Sequence, residues 1–261
     1  KRAGIVDEVI AFGHNPATLQ KALDKGAADT VTTSMEEAVK DADIVVSAVP
    51  VEAMESVFTE MAPFLKSDAV VTDVGSTRQT VIAAARKGLG DKFHQYAPAH
   101  PIAGGEMPGV DYASADLFDE KVVISTPDEG MDPKVVTFIE EAWRKAGARV
   151  QAMSPLQHDL TFASVSHLPH VLAYALVDMI AREENAQEKL KMAGAGFRDF
   201  TRIASSSPVM WRDICLSNRE ALSHELKRYR ASLDTLQKYI DESDGKALES
   251  VFENAVRNRR G

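Results

Sequence analysis

The hydrophobic pattern of the chain has two regimes. Val9-Ile10-Ala11-Phe12, Asp43-Ile44-Val45-Val46-Ser47-Ala48-Val49, Ala69-Val70-Val71-Thr72-Asp73-Val74 and Val122-Val123-Ile124-Ser125 are short, continuous apolar runs, as expected of strands buried on both faces. Between them apolar positions recur at helical spacing, which predicts helices over 16–25, 34–41, 51–64, 77–88 and 132–146. Asn15-Pro16 caps and opens the first of these. Strands alternating with helices predict a parallel sheet covered by helices. After Val150-Gln151-Ala152-Met153 the alternation stops. Apolar residues then recur through Phe162, Val165, Leu168, Leu172, Leu176 and Met179, and again over 208–238 and 245–257, with no further strand predicted. The expected organisation is an α/β domain over 1–153 and an all-α domain over 154–261. Helices with wide apolar faces complete their core against something, and a second copy of the chain is the expected partner.

Composition narrows the functional classes. With 44% hydrophobic and 26% charged residues, the 261-residue chain has the make-up of a soluble globular protein. A net charge of -9 argues against a nucleic-acid partner, since the one visible basic cluster is Arg257-Asn258-Arg259-Arg260. The single cysteine, Cys215, has no partner for an internal disulfide or a zinc site, which suits a reducing cytoplasm, and its helical setting reads as a small buried hydrophobe. No apolar run approaches the roughly 20 residues of a membrane span, so no membrane partner is expected.

The segment from Lys1 to Phe12 resembles a helix end followed by the second strand of a Rossmann-like dinucleotide fold. The first strand and the G-x-G-x-x-G turn that holds a pyrophosphate are expected upstream, and the chain does not begin with methionine. The remaining cofactor-binding candidates lie at strand ends: Gly13, His14 and Asn15 after the first predicted run, Val49 and Pro50 after the second, Gly75 and Ser76 after the third. Phe12-Gly13-His14-Asn15-Pro16 lacks the carboxylate that would accept from a ribose 2′-hydroxyl and repel a 2′-phosphate. NAD or NADP is therefore allowed, with His14 and Asn15 as possible phosphate donors or simply loop and cap residues.

The most informative stretch is Ala99-His100-Pro101-Ile102-Ala103-Gly104-Gly105-Glu106, which reads as a loop of small residues presenting one imidazole. Ser76 lies at the carboxyl end of the preceding strand, where open α/β sheets bind ligands, so serine and histidine are expected to converge as hydrogen-bond partner and base. His158-Asp159, near a helix start, is read as a cap or interdomain contact. His94 and His224 read as surface residues; Arg198, one turn from Arg202, could assist anion binding. His167 and His170 share a helix face, but no third ligand accompanies them and no metal is expected.

Taken together, Asp73-Val74-Gly75-Ser76, His100 to Glu106 followed by Gly109-Val110, Asp116-Leu117-Phe118 with Val123-Ile124-Ser125-Thr126-Pro127, Ser166-His167-Leu168-Pro169-His170, Asp199-Phe200-Thr201-Arg202-Ile203-Ala204 and Met210-Trp211-Arg212-Asp213 resemble the prephenate/arogenate (cyclohexadienyl) dehydrogenases of tyrosine biosynthesis. The resemblance implies NAD(P)-dependent oxidative decarboxylation of a cyclohexadienyl acid. It makes His100 the catalytic base, Ser76 its partner near the substrate hydroxyl, Arg202 the ligand of a substrate carboxylate, and His167, Glu106 and Trp211 substrate-site residues. At Gly105, where the family often has threonine or serine, a main-chain contact would stand in for a hydroxyl, which leaves prephenate and arogenate both open. The alternatives are another two-domain dehydrogenase of the β-hydroxyacid type, against which His100, Arg202 and the lack of its lysine motif speak, or a noncatalytic dimerising remnant.

Overall fold

The structure is a computed structural model that describes residues 3–105 and 109–260. Its first half runs β1 (Ile10–Phe12), α1 (Pro16–Asp24), β2 (Thr30–Thr32), α2 (Met35–Val39), β3 (Ile44–Ser47), α3 (Met54–Met61), β4 (Val70–Asp73), α4 (Gln79–Leu89), β5 (Tyr96–Ala97), β6 (Ala99–Pro101), β7 (Val122–Ser125), α5 (Pro133–Lys145) and β8 (Arg149–Ala152). The second half is helical: α6 (Pro155–Phe162), a π turn (Ala163–His167), α7 (Leu168–Ala181), α8 (Ala186–Lys191), α9 (Ala195–Thr201), α10 (Pro208–Ser217), α11 (Arg219–Asp241) and α12 (Gly245–Arg260). Each predicted strand and helix of the first half is present, with ends displaced by a few residues.

Three ladders form among the described strands. β1 pairs with β2, and β4 lies between β3 and β5, all in parallel, so the carboxyl ends of β3 and β4 lie side by side with Ser47 opposite Asp73. β7 pairs in parallel with β8, and β6 runs antiparallel to β7. This corrects two expectations. The sheet is not wholly parallel, and the predicted loop beginning at Ala99 opens with a strand that places His100 opposite Ile124. The reason is non-local: Ala99, His100 and Pro101 show no alternation of their own, and the pairing partner is supplied by Val123 to Ser125. β2, β5 and β8 escape prediction because none carries a continuous apolar run: β2 is Thr30-Val31-Thr32, β8 is Arg149-Val150-Gln151-Ala152, and β5 has only two residues.

The α/β core is built from α3 and α4 against the parallel ladder, with Met54, Phe58, Val71, Val81, Ala85 and Tyr96 fully buried. Close approach of α3 and α4 depends on Gly88, where a Cβ would lie 2.6 Å from the Cβ of Phe58 and 2.9 Å from the carbonyl oxygen of Glu55.

The helical half buries far less within one chain. Phe162, Leu168, Trp211, Ile214 and Leu222 are covered, but Val165, Met179, Met192, Leu216, Ile240 and Phe252 are each more than half exposed. The continuous run Pro155–Ala181 is 27 residues and, by length and composition, apolar enough to cross a membrane, which corrects the expectation that no such run exists. It also carries His158, Asp159 and His167, all buried against the α/β half. Their polar contacts would be lost in a bilayer.

The two halves meet around the start of α4. No side chain next to it in sequence caps that helix. Asp159 does so from α6, accepting from the main-chain N–H of Arg78 at 2.7 Å and of Gln79 at 2.9 Å, a contact of the kind worth about 1 kcal/mol. Thr77 Oγ1 and Ser217 Oγ lie 2.7 Å apart, and Thr80 donates to the Ser217 carbonyl. Asp159 is therefore an interdomain contact, as expected, but it caps α4 and not its own helix, which Ser154 caps.

Candidate active site

The parallel strand β4 ends in a buried ion pair. Asp73 accepts from both terminal nitrogens of Arg78, at 2.9 and 2.8 Å, and both side chains are fully buried. Its other partners are the Gly75 N–H at 2.7 Å and the Tyr96 hydroxyl. A Cβ on Gly75 would stand 2.9 Å from Asp73 Oδ1, so the turn that delivers Ser76 requires glycine here. Burial alone would lower the Arg78 pKa, but Asp73 and its neighbours turn the net shift upward, and burial followed by Asp73 raises the Tyr96 phenol well above its ordinary value. Arg78 also donates to the carbonyls of Gly75 at 2.7 Å and Ala99 at 3.0 Å. One guanidinium thus ties together the residues that precede Ser76 and His100, although they belong to different ladders.

His100 is buried, and its hydrogen-bond partner corrects the sequence reading. Its Nδ1 lies 2.8 Å from Nε2 of His158, so among the described residues the partner is His158 and not Ser76. His158 Nδ1 in turn lies 2.9 Å from Asp159 Oδ1. Phe162 closes the cluster, stacked on His158 with ring centroids 4.4 Å apart and 5.0 Å from His100. Burial, then the neighbouring His158, Arg78 and His167, hold the His100 pKa well below the usual histidine value, so the ring is neutral at physiological pH. Burial also lowers His158, against the opposing hydrogen bond to Asp159. Asp159 is held low despite burial by hydrogen bonds from His158 and from the main chain of Arg78 and Gln79.

His167 sits on the helical side. Its Nδ1 accepts from the Asn218 amide at 3.2 Å, and the main chain of Ser76 acts on the ring, raising its pKa against the larger opposing effect of burial. Asn218 also donates to the Asp159 carbonyl at 2.8 Å, which joins α6, the π turn and the α10–α11 junction. Trp211 is buried beside His167 and stacks on His170 with centroids 3.6 Å apart, while its indole N–H has no partner among the described residues. Arg202 is exposed on the turn Arg202–Ser205. Gly105 is exposed with open space where a Cβ would stand, and Glu106 lies outside the described residues. His94 and His224 are exposed, and Cys215 is half-buried with burial raising its thiol pKa. Arg198 donates to the Ala193 carbonyl.

The cofactor candidates divide. Gly75 and Ser76 follow β4 and Val49 and Pro50 follow β3, at one aligned edge of the parallel ladder. The Asn15 side-chain oxygen is committed to capping α1, accepting from Ala17 N at 2.9 Å and Thr18 N at 3.3 Å. His14 is exposed beside Phe12, and a Cβ on Gly13 would meet only the Leu19 side chain, at 3.5 Å. An edge of small residues and no carboxylate between Gly13 and Pro16 fits a dinucleotide with or without a 2′-phosphate.

Arg78, Tyr96 and Asn218 are not singled out in the sequence, and Asp73 only as the first residue of the motif that ends in Ser76, because an isolated Arg or Asn at a helix start reads as a solvated residue. The pair His158-Asp159 was the available signal for the second histidine. These buried histidines make a prediction about pH. His167, lowered to about 4 mainly by burial, binds its proton more readily in the unfolded chain. Its contribution to stability is therefore complete above the ordinary histidine pKa of about 6.5 and lost as pH falls toward 4, by roughly 3 kcal/mol at about 1.36 kcal/mol per unit. His100 and His158 shift the same way. Urea midpoints should fall steadily from about pH 7 to about pH 4.5; a flat profile would contradict neutral burial.

With this geometry in place, the comparisons with known proteins are specific. Residues 1–152 match the family described as prephenate dehydrogenase, nucleotide-binding domain, and residues 154–254 the family described as prephenate dehydrogenase, dimerization domain. The chain is 38% identical over 233 residues to the cyclohexadienyl dehydrogenase of Zymomonas mobilis, covering 88% of this chain and 79% of that protein. It is 35% identical over 242 residues to the prephenate dehydrogenase of Bacillus subtilis, covering 92% of this chain and 65% of that protein. A crystal structure of prephenate dehydrogenase from Aquifex aeolicus with hydroxyphenyl propionate and NAD+ superposes with a TM-score of 0.90 at 34% identity, over 99% of this chain and 91% of the other.

Proposed function

The chain belongs to the prephenate dehydrogenase family, and from that premise we propose that it oxidatively decarboxylates prephenate, arogenate or both in tyrosine biosynthesis, forming 4-hydroxyphenylpyruvate or tyrosine. The observation that supports this reading is the Arg78 guanidinium, which donates to the carbonyls of Gly75 and Ala99, the residues that precede Ser76 and a neutral His100. NAD(P)+, held by the strand-end residues Gly13, His14, Asn15, Val49, Pro50, Gly75 and Ser76, supplies the hydride acceptor when bound. His100 takes the proton of the 4-hydroxyl as hydride leaves the carbon that bears it. The bond to the ring carboxylate then breaks, CO₂ departs, the electron pair left behind completes the aromatic ring, and the resulting phenolate oxygen takes the proton back from His100. Aromatisation makes the sequence effectively irreversible.

Ser76 hydrogen-bonds near the same hydroxyl, and Arg202 takes a substrate carboxylate with its planar fork. Gly105, His167 and Trp211 complete the substrate wall, and Glu106 is a substrate residue by resemblance to the family. For His167, Nδ1 is engaged by the Asn218 amide, and the ring interacts with the main chain of Ser76. Substituting Arg202→Gln should raise KM for the cyclohexadienyl acid about 10–100-fold, the worth of one charge-assisted hydrogen bond, and change kcat only a few-fold. Equal KM for variant and wild type would remove Arg202 from the site.

The exposed apolar residues of α7, α11 and α12 support a homodimer formed through the helical half, and the single cysteine supports a cytoplasmic setting. The decisive test is NAD(P)H production by the full-length protein with prephenate and arogenate separately, each with NAD+ and NADP+. Activity in any combination supports the proposal and ranks the substrates and cofactors. Silence in all four from a folded protein would favour a noncatalytic dimerising role.

A further inference from the structure

We propose that His158 and Asp159 are positioning residues that hold His100 in its Nδ1–H tautomer, leaving the Nε2 lone pair as the base; the inference rests on the dehydrogenase reading of the site. The hydrogen-bond inventory leads to it step by step. Asp159 accepts two main-chain N–H groups at the start of α4 in addition to its contact with His158, as an ionised carboxylate does, and such a group has only acceptor sites. His158 Nδ1 must therefore carry the proton on that side. A neutral imidazole has one N–H, so His158 Nε2 is an acceptor. His100 Nδ1, 2.8 Å away, must then be the donor, and its single proton is used there. Among the described residues, Nε2 of His100 has no hydrogen-bond partner.

The opposite assignment requires an imidazolium at His158, whose two N–H groups would force His100 to protonate on Nε2 and lose its function as a base. The surroundings oppose that state. His158 is fully buried against the ring of Phe162, and the Arg78 cation at the start of α4 acts on both histidines, with His167 on the π turn adding to the effect at His100. The countering groups are Asp159 and, more weakly, Asp73. As His100 gains the substrate proton, its Nδ1–H still points to His158, and the Asp159 carboxylate beyond offsets the new charge.

The tautomer can be read directly from the 15N ring shifts of His100 in the free protein, the signal being assigned by its loss in His100→Asn. A protonated Nδ1 and bare Nε2 are expected; a protonated Nε2 in the wild type overturns the inference whether or not any variant folds. His158→Phe preserves an aromatic ring on Phe162 but offers Nδ1 no acceptor, and should mix the tautomers and lower kcat about 10–100-fold with KM little changed. His158→Gln restores an acceptor oxygen and should recover part of the loss. Wild-type kcat in a folded His158→Phe protein, or an unmoved tautomer ratio, also overturns it. Because the shifts are read without substrate, failure of the wild type to oxidise prephenate or arogenate would count against the reaction and leave the tautomer result standing.

Discussion

Replacing His100 by Asn lowers turnover of the cyclohexadienyl acid about 10²–10⁴-fold while KM stays within a few-fold of wild type. The amide is small enough for the space between His158 and Phe162 and can still donate to His158, so the local packing survives the change. What disappears is the lone pair that accepts the hydroxyl proton, an interaction made as the barrier is crossed and worth little in the ground state. An interaction of that kind appears in kcat and in kcat/KM together. Burial keeps the wild-type imidazole neutral, so its activity should stay level well into the mildly acid range, below the usual histidine pKa, before protonation removes the base. Steady-state kinetics of the two proteins across that range are the measurement. Near-wild-type turnover in the variant would remove His100 from the chemistry.

Arg78→Met should destabilise the fold by about 3–5 kcal/mol, the cost of leaving a buried charge without its partner. Asp73 would keep the Gly75 N–H and the Tyr96 hydroxyl but lose both guanidinium bonds in a site with no access to water. The carbonyls of Gly75 and Ala99 would lose donors in the same step. At about 2–4 °C per kcal/mol for a chain of this size, the melting temperature should fall by about 10 °C. Arg78→Lys should recover only part of this, because an ammonium cannot reproduce the planar two-point contact with Asp73. A melting temperature within a few degrees of wild type for Arg78→Met would show that the ion pair is dispensable. Because Arg78 also bridges Gly75 and Ala99, the residues before Ser76 and His100, any folded fraction of the variant should lose activity as well.

How far the sequence was legible follows from the range of the forces involved. Runs such as Ala69 to Val74 declare a buried strand within their own length, and the helical spacing over 132–146 declares α5 within its own, because each pattern reports burial of consecutive residues. His100, Ser76 and Arg202 could be named from motifs in the same way. His158 could not be given its place. It is 58 residues from His100, and nothing near it in the sequence of α6 announces a partner on a strand. Arg78 presented a similar difficulty: a lone arginine at a helix start is ordinarily solvated, and here it is fully buried.

By itself, then, the sequence determined the alternation of strands and helices, the change of regime near Met153, and the presence of a serine and a histidine at strand ends, all of which are written in short-range periodicity and local motif. The tertiary structure decided that Ala99 to Pro101 is an antiparallel strand, that Asp159 caps a helix whose first residues lie 81 and 80 positions earlier, and that His158 is the partner of His100. These depend on which elements pack together, and a polar side chain carries no local mark of the group that will satisfy it once water is excluded.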